Sequence, residues 1–438
     1  MKLLLKGARV IDPASGVDGV RDVLIEGGRV ARVDVSIPPA TVPGAIVADL
    51  GSALVVCPGL IDMHVHLREP GYEAKETIAS GTRAAARGGF TTVCAMPNTN
   101  PVNDNRAVTE RILAEAGRNA VVNVLPIAAV TRGSRGEELV DMADLTASGV
   151  VAFSDDGLPI MNSRVMRQAL ATAAASGGLV IDHCEDRALA EGGSIYEGPV
   201  AARLGMAGSS SAAEEIMIAR DIILAEALKA RVHIAHLSTA GGVRSVGEAR
   251  SRGVRVSAEA TPHHLLLTDA ALGSRDTNFK MNPPLRAESD VVALVEAVRT
   301  GVVDVIATDH APHTAEEKNR EFDKAPFGIV GLETAVTLIL DRFVRSNIIS
   351  LGRFVELMSA NPARLLGLAG KGRIAVGADA DLTILDLDLR ATVDKNLFES
   401  KGRNTPFDGW ALTGGVAMTI VGGRVAYPFG DDVPARRA

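Results

Sequence analysis

This chain of 438 residues is 47% hydrophobic and carries a formal net charge of −7. Its length exceeds what one hydrophobic core usually sustains, so we expect a large domain accompanied by a smaller one. An acidic chain without a basic run argues against a nucleic acid as partner. No apolar run reaches the length of a membrane span, which predicts a cytoplasmic protein. The three cysteines form neither a C-x-x-C pair nor an even disulfide set, so we expect buried free thiols.

The two ends of the chain share a pattern of short strands separated by glycine turns. LLLKGARVIDP and DVLIEGGRVARVD stand near the start, and DADLTILDLDL and AMTIVGGRVAYP stand near the end. Neither end has enough strands to bury one face by itself. We therefore predict that residues 1–56 and 366–438 pair into one small β-sandwich domain.

Residues 57–365 alternate apolar β-type runs with helical stretches rich in alanine and glutamate. This β/α rhythm repeats roughly eight times, with β-type runs such as TTVCAM, VVNVLPIA, VVAFSD, LVIDHCED, VHIAHLS, RVSAEATPHH and DVIATDHAPH. Runs that are apolar almost throughout are typical of parallel strands covered on both sides, and their number favours an α/β fold, a closed (β/α)8 TIM-like barrel. A doubly wound sheet is the alternative fold, but no G-x-G-x-x-G or G-x-x-x-x-G-K-[ST] motif follows a predicted strand.

Imidazole and carboxylate groups recur where these apolar runs stop, which in such a barrel is the catalytic end. They are His64, His66, Asp155, Asp156, His183, His236 and Asp309. These groups are the ligands expected for Zn²⁺, and four histidines with two aspartates suffice for two ions if one carboxylate bridges them. Two cations that hold a hydroxide would hydrolyse an amide or form one in reverse, with Asp309 placed to shuttle the proton.

Longer motifs carry a family resemblance: PGLIDMHVHLREPG, GGFTTVCAMPNTNP, FSDDG, DHCED, HLST, MNPPLR and ATDHAPH. Together they resemble the class I bacterial dihydroorotases of the amidohydrolase superfamily, over nearly the whole chain. The resemblance implies a zinc-dependent cyclic amide hydrolase that interconverts N-carbamoyl-L-aspartate and L-dihydroorotate. This reaction belongs to de novo pyrimidine (UMP) biosynthesis and would proceed by attack of a metal-bound hydroxide.

The resemblance also implies a ligand set for two Zn²⁺ ions per subunit. The implied ligands are His64, His66 and Asp309 for the more buried ion and His183 and His236 for the other. An aspartate of FSDDG would bridge the two ions together with the hydroxide. The family pattern assigns the bridge to Asp156, whereas strand periodicity leaves Asp155 open. Asp309 would also act as the general acid and base.

The bridging group separates this chain from related enzymes. Hydantoinases and dihydropyrimidinases commonly use a carboxylated lysine on the fourth strand as the bridge. This chain has no lysine between Lys75 and Lys229, which leaves the FSDDG carboxylate in that place. Another cyclic amidohydrolase, of the allantoinase or hydantoinase type, is therefore the disfavoured alternative.

Substrate identity should be visible as a group that binds a carboxylate, since dihydroorotate carries one that a plain dihydropyrimidine lacks. Arg68 can provide a bidentate fork for it, and the alternative interpretation of Arg68 is an ion pair at the barrel rim. The resemblance implies contacts to the carboxylate region by Asn98 and His313, contacts to the ring amides by Asn282, Phe327 and Gly328, and a further substrate contact by His66.

Other polar residues near these motifs have a structural interpretation. His233 and His310 should face away from the metal centre, and Cys184 should pack in the core. The run AEEKNREFDKAPFG, residues 315–328, is either a mobile loop over the site or an ordinary solvated loop.

The second alternative function comes from a different class, a non-catalytic dihydroorotase-like scaffold for aspartate transcarbamoylase. Such a subunit should have lost metal ligands, and this chain retains every ligand in the motifs. A catalytic protein that also binds aspartate transcarbamoylase is compatible with the sequence. We further expect a homo-oligomer.

Overall fold

The computed structural model describes residues 2–428, with Ser274 described by its backbone alone, and contains a parallel barrel and a mixed sheet. The strands are β1 (Lys2–Asp12), β2 (Val17–Glu26), β3 (Arg29–Asp34), β4 (Ile46–Asp49), β5 (Leu54–Pro58), β6 (Leu60–Val65), β7 (Phe90–Ala95), β8 (Asn123–Ala128), β9 (Ala152–Phe153), β10 (Val180–Asp182), β11 (Ile195–Tyr196), β12 (Gly208–Ser209), β13 (Val232–Ile234), β14 (Val256–Ala260), β15 (Val305–Ile306), β16 (Leu382–Thr392), β17 (Ala411–Val421) and β18 (Arg424–Tyr427).

The helices lie mainly between the barrel strands. The α-helices are α1 (Ile78–Arg87), α2 (Arg106–Asn119), α3 (Met142–Ala147), α4 (Ser163–Ala175), α5 (Arg187–Ala190), α6 (Pro199–Leu204), α7 (Ser211–Leu228), α8 (Ala240–Ser251), α9 (Pro262–Leu266), α10 (Glu288–Thr300), α11 (Ala315–Lys318), α12 (Ala335–Ile339), α13 (Leu351–Val355) and α14 (Asn361–Leu365). Short 3₁₀ segments are Pro39–Thr41, Arg132–Ser134, Asp269–Ser274, Thr277–Phe279, Phe322–Lys324 and Lys395–Leu397, and π-helical turns are Leu340–Val344 and Glu356–Ala360.

Both ends of the chain form one mixed sheet, in the order β18-β17-β16-β5-β1-β2-β3, with β4 parallel to β1. The two ends meet where β5 runs antiparallel to β16, with Val56 opposite Ile384. Both side chains are buried in a core of their own, together with Leu3, Val10 and Ile420. The leading strands therefore bury their apolar face only with the help of the returning strands, as the pattern at the two ends predicts.

The middle of the chain forms eight parallel strands in the order β15-β14-β13-β10-β9-β8-β7-β6. Beyond β15 the chain closes the circle, because Val65 pairs with His310 and the His66 N–H donates to the His310 carbonyl at 2.9 Å. Every residue of β6 and β7 is buried, as expected for strands with helices outside and packed side chains inside. The boundaries at residues 57 and 365 stay predictions.

The loop between β6 and α1 shows how local sequence positions a functional residue. The Thr77 side chain accepts the Ser80 N–H at 3.1 Å, and the Ser80 hydroxyl accepts the Thr77 N–H at 3.1 Å, which forms a capping box at the start of α1. Glu69 accepts the Ile78 N–H at 2.8 Å from the same loop. The start of α1 therefore anchors the chain directly beyond Arg68.

The two parts of the molecule join at Gly59, between β5 of the sheet and β6 of the barrel. The Gly59 N–H donates to the Asp381 carbonyl at 2.8 Å, and the Gly59 carbonyl accepts the Ser359 hydroxyl at 2.7 Å. A Cβ atom at this position would lie 2.1 Å from Thr91 Oγ1, so only glycine fits. The junction thus lies at the N-terminal end of β6, opposite the end predicted to carry the site.

The cysteines and the helices test two expectations from the composition. Cys57, Cys94 and Cys184 are buried and free, as predicted. Within residues 2–428, no helix combines the length and the apolar character that crossing a membrane requires.

Candidate metal centre and substrate cavity

Six imidazole and carboxylate side chains meet at the C-terminal mouth of the barrel. They belong to His64, His66, Asp156, His183, His236 and Asp309. His64 lies near the end of β6, and the others follow β6, β9, β10, β13 and β15 within three residues. All six are buried, with at most 6% of each residue exposed. Parallel strands in a barrel end at the same mouth, so positions far apart in sequence converge here.

One group of atoms surrounds the Asp309 carboxylate. Its Oδ1 lies 3.1 Å from His66 Nε2 and 3.5 Å from His64 Nε2. Asp156 reaches the same two rings, with Oδ1 3.3 Å from His64 Nε2 and Oδ2 3.4 Å from His66 Nε2. Ligands that bind a tetrahedral Zn²⁺ at about 2.0–2.1 Å lie about 3.3 Å from one another. The spacing of this group therefore fits a divalent cation.

A second group lies on the other side of Asp156. His183 Nδ1 and His236 Nε2 are 2.8 Å apart, and each lies 3.7 Å from Asp156 Oδ1. Asp156 consequently belongs to both groups, which is the arrangement that a bridging carboxylate requires.

Several buried side-chain atoms of the six residues lack a hydrogen-bond partner among the described residues, including His64 Nε2, Asp156 Oδ1 and, on the side of its ring away from the second group, His236 Nδ1. Leaving such atoms unpaired is costly, and a cation is a partner for an imidazole nitrogen and a carboxylate oxygen alike. Burial raises the pKa of Asp156, but the imidazoles of His64 and His236 outweigh this effect and hold the pKa well below its usual range. An ionised carboxylate among unpaired imidazole nitrogens fits a metal ion.

Glu259 on β14 is the site residue that sequence reasoning missed. Its Oε1 lies 2.6 Å from His64 Nδ1 and accepts the His236 N–H at 3.2 Å, while its Oε2 lies 3.2 Å from His233 Nε2. Burial raises the pKa of Glu259, but His64 and His233 outweigh it and hold the pKa below its usual value. The carboxylate keeps a proton on His64 Nδ1, which leaves Nε2 free to bind a cation. The available signal was one glutamate inside the buried run VSAEA.

Two asparagines hold the outer nitrogens of two other histidines. Asn98 Oδ1 lies 2.8 Å from His66 Nδ1, and Asn282 Nδ2 lies 3.2 Å from His183 Nε2. Both asparagines also line the cavity described below. They are therefore placed to orient a ligand histidine and to meet a bound molecule.

The two aspartates of FSDDG point in different directions. Asp155 Oδ1 accepts the N–H groups of Val130 and Thr131 at 2.8 and 3.1 Å, and its Oδ2 accepts the Thr131 hydroxyl. Of the two, Asp156 alone contacts the histidines of the centre. This geometry supports Asp156 as the bridge, an assignment that stays a prediction.

The residues expected to be structural have partners outside the centre. His233 Nδ1 lies 2.8 Å from Ser257 Oγ, and His310 Nε2 lies 3.2 Å from a carboxylate oxygen of Glu76. Burial raises the pKa of the Cys184 thiol well above its usual value, so the thiol stays protonated. None of these three belongs to the two groups of ligand atoms.

Five of the six side chains of the centre, all except His64, line a cavity of about 220 Å³ at the barrel mouth. Every residue predicted to contact substrate lines this cavity, namely His66, Arg68, Asn98, Asn282, His313, Phe327 and Gly328. The same cavity is lined by Asp156, His183, His236 and Asp309. A molecule in the cavity can therefore touch the centre and Arg68 at the same time.

Arg68 gives the cavity a positively charged wall. Its half-buried guanidinium donates from Nε to the Pro312 carbonyl at 3.2 Å, and Nη2 lies 3.4 Å from His313 Nε2. Arg68 forms no ion pair with a carboxylate of residues 2–428, so the rim ion pair is absent there. Burial and the nearby charge of Arg68 lower the pKa of His313 to about 3, which keeps that imidazole neutral.

Comparison with known proteins shows the family of this chain. Residues 53–241 match the dihydro-orotase-like family, and residues 225–427 match the amidohydrolase family. The dihydroorotase of Pelotomaculum thermopropionicum is 56% identical to this chain, covering 97% of it and 98% of that protein. The chain belongs to the dihydroorotase family. Another member, the dihydroorotase of Syntrophus aciditrophicus, is 49% identical over 98% of this chain and 99% of that protein.

Solved structures confirm the predicted fold class for this member of the dihydroorotase family. The L-hydantoinase (dihydropyrimidinase) from Arthrobacter aurescens has a TM-score of 0.86 at 28% identity, covering 97% of this chain and 95% of that one. The dihydropyrimidinase from Brevibacillus agri has a TM-score of 0.82 at 26% identity, with the same coverage. The dihydroorotases are far closer in sequence, so the hydantoinase alternative is not favoured.

Proposed function

We propose that this chain catalyses the reversible cyclisation of N-carbamoyl-L-aspartate to L-dihydroorotate, a step of de novo pyrimidine (UMP) synthesis. The observation that carries the choice of substrate is Arg68, which pairs with no carboxylate within residues 2–428 and lines the same cavity as the candidate metal centre. The carboxylate of dihydroorotate would complete a bidentate pair with this guanidinium. Dihydrouracil and hydantoin lack that carboxylate and would leave Arg68 unpaired.

The proposal includes two zinc ions per subunit, because imidazole and carboxylate donors suit Zn²⁺. Their ligands would be His64, His66 and Asp309 for one ion, His183 and His236 for the other, and Asp156 for both. When bound, two such cations lower the pKa of a coordinated water and polarise a carbonyl group.

Asp309 would move the proton in both directions of the reaction. Burial raises the pKa of Asp309, but His64 and His66 outweigh it and hold the pKa below its usual value. The carboxylate is therefore able to accept a proton. In ring closure it would take this proton from the ureido nitrogen as that nitrogen attacks the substrate carboxyl carbon, and it would give the proton to the carboxyl oxygen that leaves as the C–O bond breaks. In ring opening it would take a proton from the attacking oxygen and give it to the ring nitrogen that leaves as the C–N bond breaks.

Opposite walls of the cavity would orient the substrate. Arg68, Asn98 and His313 would bind its carboxylate, while Asn282 and the backbone at residues 327–328 would bind the ring amides. His313 Nε2 lies 2.8 Å from the Phe327 carbonyl, which brings these two residues together at one wall. Orientation by fixed groups lowers the entropy that the reaction must lose on the way to its transition state.

The proposal extends to cellular location and partners. Three buried free thiols fit a reducing cytoplasm. We include a homo-oligomer and a complex with aspartate transcarbamoylase, whose product would be the substrate here. Light scattering on the chain alone, and then mixed with aspartate transcarbamoylase, would give the masses that test both points. The non-catalytic scaffold is disfavoured because all six candidate ligands are retained.

The decisive experiment measures ring opening of L-dihydroorotate by metal-analysed protein, beside dihydrouracil, hydantoin and allantoin. We expect kcat/KM to favour L-dihydroorotate by about 10²-fold or more, since charge-assisted hydrogen bonds contribute about 1.5–3 kcal/mol each. About two zinc equivalents should accompany this activity. Equal turnover of dihydrouracil would contradict the role of Arg68, and inactivity with metal bound would favour the scaffold.

A further inference from the structure

The 311–328 segment contributes Ala311, His313, Phe327 and Gly328 to the wall of the cavity, and two buried lysines bind its main chain. Lys318 belongs to this segment, and Lys280 lies between the 3₁₀ turn Thr277–Phe279 and α10. Lys280 is 2% exposed and Lys318 is 5% exposed. Lysine is almost never buried to this extent unless a carboxylate pairs with it. Two such lysines beside a substrate cavity therefore need a physical explanation.

The Lys318 ammonium binds main-chain carbonyls. Its Nζ donates to Gly328 at 3.0 Å, to Pro326 at 3.1 Å and to Lys280 at 3.4 Å. Burial and the charge of Lys280 lower the pKa of Lys318 to about 7, and in the protonated form its three N–H donors match these three acceptors. Lys318 forms no ion pair with a carboxylate in the part of the chain that the structure describes. Lys318 consequently links Pro326 and Gly328, the two neighbours of Phe327, to Lys280 in a separate segment of the chain.

Lys280 binds the 311–328 segment at Phe322 and Asp323. Its Nζ donates to the carbonyls of Phe322 and Asp323 at 2.7 and 3.1 Å. It also lies 5.4 Å from the ring centroid of Phe322 and 4.6 Å from that of Phe327. The Lys280 carbonyl accepts the Gly328 N–H at 2.9 Å. The ammonium and the carbonyl of one residue therefore both bind the segment.

The wall has little room to move without changing the cavity. Gly328 has a φ of 123°, and a Cβ atom there would lie 2.7 Å from Ala311 Cβ and 3.3 Å from His313 Nε2. The Phe327 carbonyl already lies 2.8 Å from His313 Nε2. A shift of the carbonyls that Lys318 binds would displace His313, Phe327 and Gly328 together.

We infer that Lys280 and Lys318 are positioning residues, whose ammonium groups hold the 311–328 segment in the arrangement that binds substrate. The inference rests on the proposed function for its substrate, L-dihydroorotate. Without an ammonium, fewer molecules have the segment in place, and the apparent affinity falls by that fraction. None of the six candidate metal ligands contacts the ammonium group of Lys280 or Lys318. Bound metal, and kcat at saturating substrate, should therefore persist when either lysine is replaced.

Lys318→Met tests this inference, because it keeps the length of the side chain and removes the three donors. We expect KM for L-dihydroorotate to rise about tenfold, with kcat within about twofold and unchanged zinc content. Trypsin should cut faster after the exposed Arg320 and Lys324, and substrate should restore protection. Lys324→Met is the matched control, since Lys324 is exposed and pairs with Glu321, and it should keep the original KM.

The inference is overturned if the fold-decrease in kcat exceeds the fold-increase in KM. Lys280→Met provides the same test if Lys318→Met does not fold. The unaltered chain gives a further readout, since trypsin should cut after Arg320 and Lys324 while sparing Lys318, and equal cutting after Lys318 also overturns it. If the unaltered chain does not turn over L-dihydroorotate, the proposed function fails, and this cleavage pattern still decides the role of the lysine.

Discussion

Replacing Glu259 by glutamine should weaken metal binding while leaving the fold in place. A glutamine Oε1 can still accept from His64 Nδ1, and its amide can donate to His233 Nε2, so the substitution removes mainly the negative charge. That charge lies 2.6 Å from His64 Nδ1 and at hydrogen-bond distance from the His236 N–H. Loss of such an outer partner typically lowers metal affinity 10–100-fold, or about 1.4–2.7 kcal/mol.

Competition for zinc with a chromogenic chelator measures this effect directly, without relying on activity. Glu214→Gln is the matched control, since the Glu214 carboxylate is also buried, accepts the Ser238 N–H at 2.9 Å and pairs with Arg286 at 3.2 Å. Both variants should lower the free energy of unfolding, and Glu259→Gln should release zinc more readily than Glu214→Gln. Zinc affinity of Glu259→Gln equal to that of the unaltered chain would refute the assigned role of this carboxylate.

Three further predictions use the same chain. Asp309→Asn should lose about 10²–10⁴-fold of kcat in both directions and retain much of its zinc, measured by progress curves in each direction and by metal analysis; near-normal activity would remove Asp309 from the mechanism. Arg68→Met should lower kcat/KM for L-dihydroorotate about 10²-fold but leave dihydrouracil turnover unchanged, because only one of these molecules has a carboxylate, and an equal loss for both would argue against that contact. Burial raises the pKa of Glu333 from 4.5 to about 7, so the folded chain retains a proton that the unfolded chain releases in this window. The free energy of unfolding should fall by at most about 3 kcal/mol as pH rises from 4.5 to about 7. Urea titrations of Glu333→Gln should show a weaker dependence on pH in this range. An unchanged dependence in that variant would contradict the role of Glu333.

The sequence by itself determined which fold was available and where on it polar groups would collect. Apolar runs such as VVNVLPIA can bury both faces only as parallel strands under helices, and neither end of the chain can bury its own strands alone. Because parallel strands end at one mouth of the barrel, residues such as His64 and Asp309 at strand ends had to converge there. These inferences need only local patterns and one geometric rule.

The tertiary structure alone decided which atoms meet at that mouth. Strand periodicity could not choose between Asp155 and Asp156, because the turn after β9 sends them in different directions. The pairing of His64 with Glu259 joins positions 195 residues apart, and no local pattern encodes it. Likewise, distant backbone segments decide that Arg68 forms no ion pair with a carboxylate of residues 2–428, and they supply the carbonyl partners of Lys318. Burial patterns repeat along the chain, whereas partners are fixed by how separate segments pack against one another.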